Sequence, residues 1–267
     1  MILIKIGGGE QVNIDYICED IATLVSGGEK VIIVHGASAL RDTIAKKLGT
    51  PKKIITSPSG VESVYTDEQA IDVFLMTYAG LRNKRIVALL QRHGVDAVGL
   101  SGIDGRLWEA KRKNIVYSVE NGKTKMIRDN FTGKVEKINV ALINLLIENN
   151  YIPVLCPPAI SYDNQIVNTD NDTATAVMVK ALGIKQMIIL FEAAGMLKNF
   201  HDPKSLIEQI KKEELTNFME FAVGRMKKKV LGAQRAFENG VEKIYWGDGR
   251  IKHPILNVMK GKGTIIC

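Results

Sequence analysis

Residues 1–9 read MILIKIGGG and residues 31–38 read VIIVHGAS. Each is a short run of Ile, Leu and Val that ends in glycine, and a stretch of helical periodicity follows each one. Runs of this kind, bounded by glycine and without strict alternation, predict strands buried on both faces of a sheet. The same unit recurs down the chain. Strands are expected at 2–6, 31–34, 95–99, 152–155, 186–191, 243–246 and 263–266, and helices at about 13–25, 39–48, 67–92, 139–149, 172–182 and 226–239. Asn13 and Asp67 stand where N-caps belong, and Gly183 and Gly240 where helices stop. Strands alternating with helices predict an α/β fold around a largely parallel, buried sheet. Residues 114–127 depart from the pattern: IVYSV and KTKMI flank ENG, and Asn121-Gly122 is a strong turn signal, so a β-hairpin insert is expected there.

The chain has 267 residues and a mass of 29.5 kDa, enough to bury roughly three quarters of its unfolded surface. With 46% hydrophobic and 24% charged residues and only 7 prolines, it reads as an ordinary globular protein rather than a disordered, collagenous or coiled-coil one. No low-complexity linker or internal repeat divides it, so residues 1–267 are expected to form a single domain. A division of labour near residue 160 is expected all the same, because the candidate sites cluster in the first 105 residues and again after residue 165.

The formal charge of +7 is unevenly placed. Residues 106–137 hold nine Lys/Arg against four Asp/Glu, and residues 225–235 hold five against none. The rest of the chain is mildly acidic, so the excess points to an anionic partner rather than to general solubility. Nucleic acid is one such partner, but aromatic residues make up only 6% of the chain, and the basic stretches interleave few besides Trp108 and Tyr117. A base-stacking platform is therefore not expected.

Cys18, Cys156 and Cys267 are far apart and form no CxxC pattern, which argues against a disulfide framework or a zinc site. MILIKIGGG lacks the apolar core and cleavage site of a signal peptide, and no run approaches the ~20 apolar residues of a membrane span. A soluble, unprocessed cytoplasmic protein is the expectation.

In open α/β sheets, ligands bind at the carboxyl ends of the strands. The residues there are Gly7-Gly8-Gly9, His35-Gly36-Ala37-Ser38 and Leu100-Ser101-Gly102. Glycine lets backbone N–H groups approach phosphate oxygens, although it also serves ordinary tight turns. The P-loop and dinucleotide-binding fingerprints are both absent. Lys5 interrupts the apolar strand ILIKI, so it either reaches a sheet edge or meets an anion at the strand's end. Asn168, Asp170 and Asp172 in IVNTDNDTATA lie at a helix start, where Asp172 is either an N-cap or a functional carboxylate. GRMKKKV at 224–230 places lysines at the positive end of a helix, an unfavourable arrangement unless an anion compensates it.

In order along the chain, IKIGGG (4–9), VHGAS (34–38), LQRHGVDAVGLSGIDG (90–105), IVNTDNDTA (166–174) and GRMKKKV (224–230) resemble the motifs of the amino acid kinase family, acetylglutamate kinase branch. Within it, PSGVESVYTD (58–67), the hairpin insert and DNFTGKVEKIN (129–139) resemble the carrier-protein-dependent aminoadipate/glutamate kinases of archaeal and Thermus-type lysine and arginine biosynthesis. The resemblance covers essentially the whole chain. It implies a three-layer αβα sandwich with a hairpin insert, an acceptor-binding and dimerisation lobe over 1–160, and a nucleotide-binding lobe over 161–267. It implies ATP as donor, with Mg2+ arriving on the nucleotide and no dedicated metal site. The acceptor would be the side-chain carboxylate of 2-aminoadipate or glutamate, its amino group masked by a small acidic carrier protein. The alternative acceptor is free N-acetylglutamate.

Carried onto this sequence, the resemblance makes Lys5 and Lys229 the charges that neutralise the transferring phosphoryl group and Asp172 the carboxylate that holds them. The backbone of Gly7, Gly8, Gly36 and Ala37 would contact phosphate, and Gly36, Ala37, Val64 and Asn168 would border the acceptor. Lys111, Arg112, Lys113, Lys123, Lys125 and Arg128 would receive the carrier. Three positions depart from the branch. Ala37 and Ser38 replace glycines, Val64 replaces an arginine that grips the acceptor's α-carboxylate, and Phe191-Glu192 replaces a small polar pair beside the nucleotide. The chain opens directly on its first strand, without the extra helix of arginine-inhibited hexamers, so a homodimer is expected.

Overall fold

The computed structural model describes residues 1–60, 62–120, 122–199, 201–222 and 224–267. At its centre lie five parallel strands, in the order Ile152–Ser161, Val31–His35, Ile2–Ile6, Gln186–Phe191 and Lys243–Asp248. Ala97–Gly102 pairs with Ile152–Ser161, and further short strands extend the sheet to eleven. From Ile2–Ile6 the chain moves first to the Val31–His35 side and returns only later to the other side. The end of Ile2–Ile6 is thus a topological switch point, where a crevice opens.

The two-residue period of a strand sorts its side chains between the faces of the sheet. Ile2, Ile4 and Ile6 join Val31, Ile33, Ile188 and Leu190 in one core, covered by helices Ile14–Ser26, Asn83–Arg92 and Pro254–Met259. Leu3 joins Ile32, Val34, Met187, Ile189 and Phe191 in the other, covered by helices Val140–Glu148, Asn171–Leu182 and Arg225–Glu238. The result is the expected three-layer αβα sandwich. Lys5 falls on the second face, under helix Asn171–Leu182.

The expected N-caps Asn13 and Asp67 accept from the backbone N–H groups of Tyr16 and Ala70, and Gly183 and Gly240 close their helices with positive φ. Asp172 is not an N-cap. Asp170 holds that position and accepts from the Thr173 N–H at 2.9 Å, which leaves the Asp172 carboxylate for other partners. The expected helix 67–92 is continuous but passes through a π-helical segment, Leu75–Arg82. The insert is a separate two-stranded hairpin, Val116–Glu120 with Lys123–Ile127. Gly122 takes the positive φ its turn requires, while Asn121 lies outside the described residues.

Several elements go beyond the sequence expectation. They include the hairpin Lys53–Thr56 with Glu62–Tyr65 and the sheet strands Trp108–Arg112, Thr132–Ile138 and Ile166–Thr169. These segments are short and polar on one side, so they lack the apolar runs that mark the central strands. No described helix is long and apolar enough to cross a membrane.

Candidate active site

Two cavities flank the end of Ile2–Ile6. One, of about 400 Å³, is bordered by Gly7–Gly9, Phe191, Glu192, Met196, Gly224, Met226 and Lys229. The other, of about 460 Å³, is bordered by Lys5, Gly36, Ser38, Val64, Asn168, Asp172 and Lys228, among others. Gly7, Gly8 and Lys229 border both. The shared wall is where a group could pass from a ligand in one cavity to a ligand in the other.

The wall is built by close approach of backbone. A Cβ on Gly8 would stand 2.5 Å from the Ser38 nitrogen and 2.7 Å from that of Ala37, and a Cβ on Gly36 would stand 2.9 Å from the Gly8 nitrogen. Gly7 donates its N–H to the Leu190 carbonyl at 2.8 Å and Gly36 to the Ile6 carbonyl at 2.9 Å. These two bonds continue the sheet pairing, so the N–H groups of Gly7 and Gly36 serve the fold rather than a phosphate. Of the four expected phosphate contacts, the Gly8 N–H borders both cavities and has no hydrogen-bond acceptor among the described residues. Ala37 does not border the second cavity, where the resemblance had placed it beside the acceptor. It is fully buried against Phe74, Tyr78 and Cys156, and Ser38 takes its place on the wall.

Behind the loop, His35 is fully buried and its Nε2 meets the Asn83 side chain at 3.1 Å. Burial pushes its imidazole down to about 3, so it is neutral at physiological pH. The Asn171 amide donates to the His35 carbonyl at 3.0 Å, tying the start of the Asp172 helix to the second glycine junction.

Lys5 and Asp172 form an ion pair. Burial alone would raise the Asp172 carboxyl, but the Lys5 charge and hydrogen bond, with help from Lys229 and Lys228, hold it below its ordinary value. Lys229 also lies 4.4 Å from the centre of the Phe191 ring, a cation–π distance. One carboxylate thus gathers several cations at the shared wall, the arrangement an anionic transfer step needs. Among the described residues no three His, Cys, Asp or Glu side chains converge.

Among the other expected residues, Val64 and Asn168 border the second cavity, and the Asn168 amide donates to the Thr66 hydroxyl at 3.2 Å. Lys111, Lys113, Lys123, Lys125 and Arg128 are exposed. Arg112 is not a free surface cation. Its guanidinium lies 4.1 Å from the Phe131 ring centre and donates to the Gln165 side chain. The sequence reading missed Arg41, Phe74 and Tyr78 on the wall of the second cavity. They lie on helices with no motif of their own, and only the register of Arg41 three residues after Ser38 could have indicated it.

The sequence matches the amino acid kinase family over residues 1–245. The chain belongs to the amino acid kinase family. It is 41% identical over 268 residues to the [LysW]-aminoadipate kinase of Thermus thermophilus, with 100% of both chains covered. It is 46% identical over 266 residues to the [LysW]-aminoadipate kinase of Deinococcus radiodurans, covering 100% of this chain and 91% of the relative. The [LysW]-aminoadipate/[LysW]-glutamate kinase of Saccharolobus solfataricus is 34% identical over 270 residues, with 100% and 99% covered. Among solved structures, N-acetylglutamate synthase from Neisseria gonorrhoeae superposes with a TM-score of 0.78 at 22% identity, over 100% of this chain and 59% of that one. Giardia carbamate kinase gives 0.66 at 16% identity, over 100% and 98%. At such identities these two speak to the kinase fold alone.

Proposed function

We propose that this kinase transfers the γ-phosphoryl group of ATP to the side-chain carboxylate of 2-aminoadipate, or of glutamate, carried on a small acidic protein in lysine or arginine biosynthesis. The observation that carries the reading is the pair of cavities that share Gly7, Gly8 and Lys229. The nucleotide occupies the cavity beside Phe191 and Met226, and the acceptor occupies the one beside Val64 and Asn168. Residues 1–160 make up the acceptor and dimerisation lobe and 161–267 the nucleotide lobe, with Gly7–Gly9 and Asp172 each crossing to the other side of that division.

A carboxylate nucleophile is already ionised at neutral pH, so no general base is required. The obstacle is an anion attacking an anion, and catalysis rests on positioning and on cations aimed at the transferring group. Lys5 and Lys229 supply those cations, Asp172 orients them, and the Gly8 N–H contacts a phosphoryl oxygen. ATP brings Mg2+, which offsets phosphate charge when bound.

The carrier meets the basic surface around the hairpin, where Lys111, Lys113, Lys123, Lys125 and Arg128 are exposed. Lys113 also borders the acceptor cavity, which links the docking surface to the site. Helix 67–92 supplies the homodimer contact, and a light-scattering mass near the monomer value would exclude it.

The test is hydroxamate formation with ATP and each acceptor, free and carrier-bound. Trapped acyl phosphate from the carrier-bound acceptor alone is expected. Turnover of free N-acetylglutamate at the same rate would replace this reading with a plain N-acetylglutamate kinase.

A further inference from the structure

The proposed acceptor is a dicarboxylate. While its side-chain carboxylate attacks, its α-carboxylate must lie elsewhere in the same cavity, and strand Glu62–Tyr65 borders that cavity with Glu62, Ser63 and Val64, none of them a cation. The cations bordering the cavity are Lys5, Arg41, Lys113, Lys228 and Lys229. Lys5 is paired with Asp172, and Lys228 and Lys229 lie in that carboxylate's field, so all three belong to the transfer end. Lys113 is exposed at the hairpin side. Arg41 is the cation left inside.

Its setting is built rather than incidental. Arg41 is only 9% exposed, its guanidinium carbon lies 5.3 Å from the Phe74 ring centre, and Phe74 stacks on Tyr78 at 4.9 Å. The Nε and Nη2 groups donate to one oxygen of Asp42, while Lys52 donates to the other oxygen at 2.6 Å. Among the described residues no acceptor takes Nη1. The cluster of Arg41, Asp42 and Lys52 keeps one net positive charge, and the Tyr78 hydroxyl lies in the field of the guanidinium. Arg41 follows Ser38 by three residues on helix Ser38–Lys47. That spacing places the two side chains on one helical face roughly 5–6 Å apart at Cβ, and Ser38 donates to the Gly8 carbonyl at the shared wall at 3.1 Å. A short aliphatic chain reaching back from the transfer point therefore ends at Arg41.

We propose that Arg41 binds the α-carboxylate of the acceptor and so determines acceptor specificity, with the Tyr78 hydroxyl as second donor. The proposal rests on the carrier-linked amino acid reading above. The experiment compares a carrier loaded with 2-aminoadipate against one loaded with 5-aminopentanoate, which has the same reactive carboxylate and no α-carboxylate. The wild-type enzyme is expected to prefer the former in kcat/KM. Arg41→Met should lower kcat/KM for the aminoadipate carrier about 10- to 100-fold, the cost of losing a charge-assisted hydrogen bond. It should leave both the 5-aminopentanoate carrier and the KM for ATP unchanged, so the preference collapses. Arg41→Lys keeps the charge but not the fork and should fall between; it is the variant to use if the methionine variant fails to fold. Equal losses on both carriers, or a preference that survives substitution, would overturn the role of Arg41 alone. A wild-type enzyme inactive on both carriers would instead overturn the proposed function and this inference together.

Discussion

Lys5 and Asp172 are 167 residues apart in the chain and form an ion pair at the end of the first strand. Lys5 is 7% exposed, so either charge left alone would be expensive to keep buried. The pair also aims a cation at the wall shared by the two cavities. Replacing Lys5 or Lys229 by alanine should lower kcat at least ~100-fold if each stabilises transferring charge. Hydroxamate formation measures this, and a loss below tenfold for either residue would remove it from the transfer step.

The same pair makes a stability prediction with a definite sign. The Asp172 carboxyl lies below its ordinary value, so its pairing stabilises the fold above about pH 4 and is lost as pH falls through the lowered value. Melting temperature plotted against pH should therefore fall less steeply in acid for Asp172→Asn than for the parent. Parallel curves would show that the carboxylate contributes nothing to acid stability.

The glycine loop offers a paired test. A Cβ on Gly8 meets backbone nitrogens, whereas a Cβ on Gly9 meets the Glu192 carboxylate at 2.2 Å, a movable side chain that also accepts from the Gln11 N–H at 2.7 Å. Gly8→Ala should cost about 1–3 kcal/mol and abolish activity, because backbone cannot step aside cheaply. Gly9→Ala should be the milder change, and combining it with Glu192→Ala should restore ATP binding in a nucleotide titration. A Gly8→Ala enzyme with parental kcat would show that the loops need not interlock.

Reversing charge on the hairpin should act on encounter. Lys111→Glu with Lys123→Glu is expected to raise KM for the loaded carrier and steepen with falling salt, while KM for ATP stays constant. Stopped-flow binding at two ionic strengths distinguishes this from damage to the site, which would show no salt dependence.

Much of this protein was legible without coordinates, and for a local reason. Short apolar runs ending in glycine specify buried strands and their ligand-bearing ends, so the α/β class with its largely parallel sheet, both glycine junctions, Lys5 and the hairpin could be read directly, while the three-layer arrangement came from the family resemblance. Segments such as Trp108–Arg112 and Thr132–Ile138 were not legible, because an edge strand with one polar face carries little periodic signal.

Tertiary structure decided the roles. In NTDND, either Asp170 or Asp172 could cap the helix; only the position of Lys5 beneath that helix assigns capping to the first and charge pairing to the second. Gly7 and Gly36 read as phosphate ligands until strand pairing engaged their N–H groups, and Ala37 until three helical and strand segments closed over it. Arg41 carried no motif at all. Elements follow from propensities of neighbouring residues, whereas a site is an encounter between residues far apart, and strand order and register determine which of them meet.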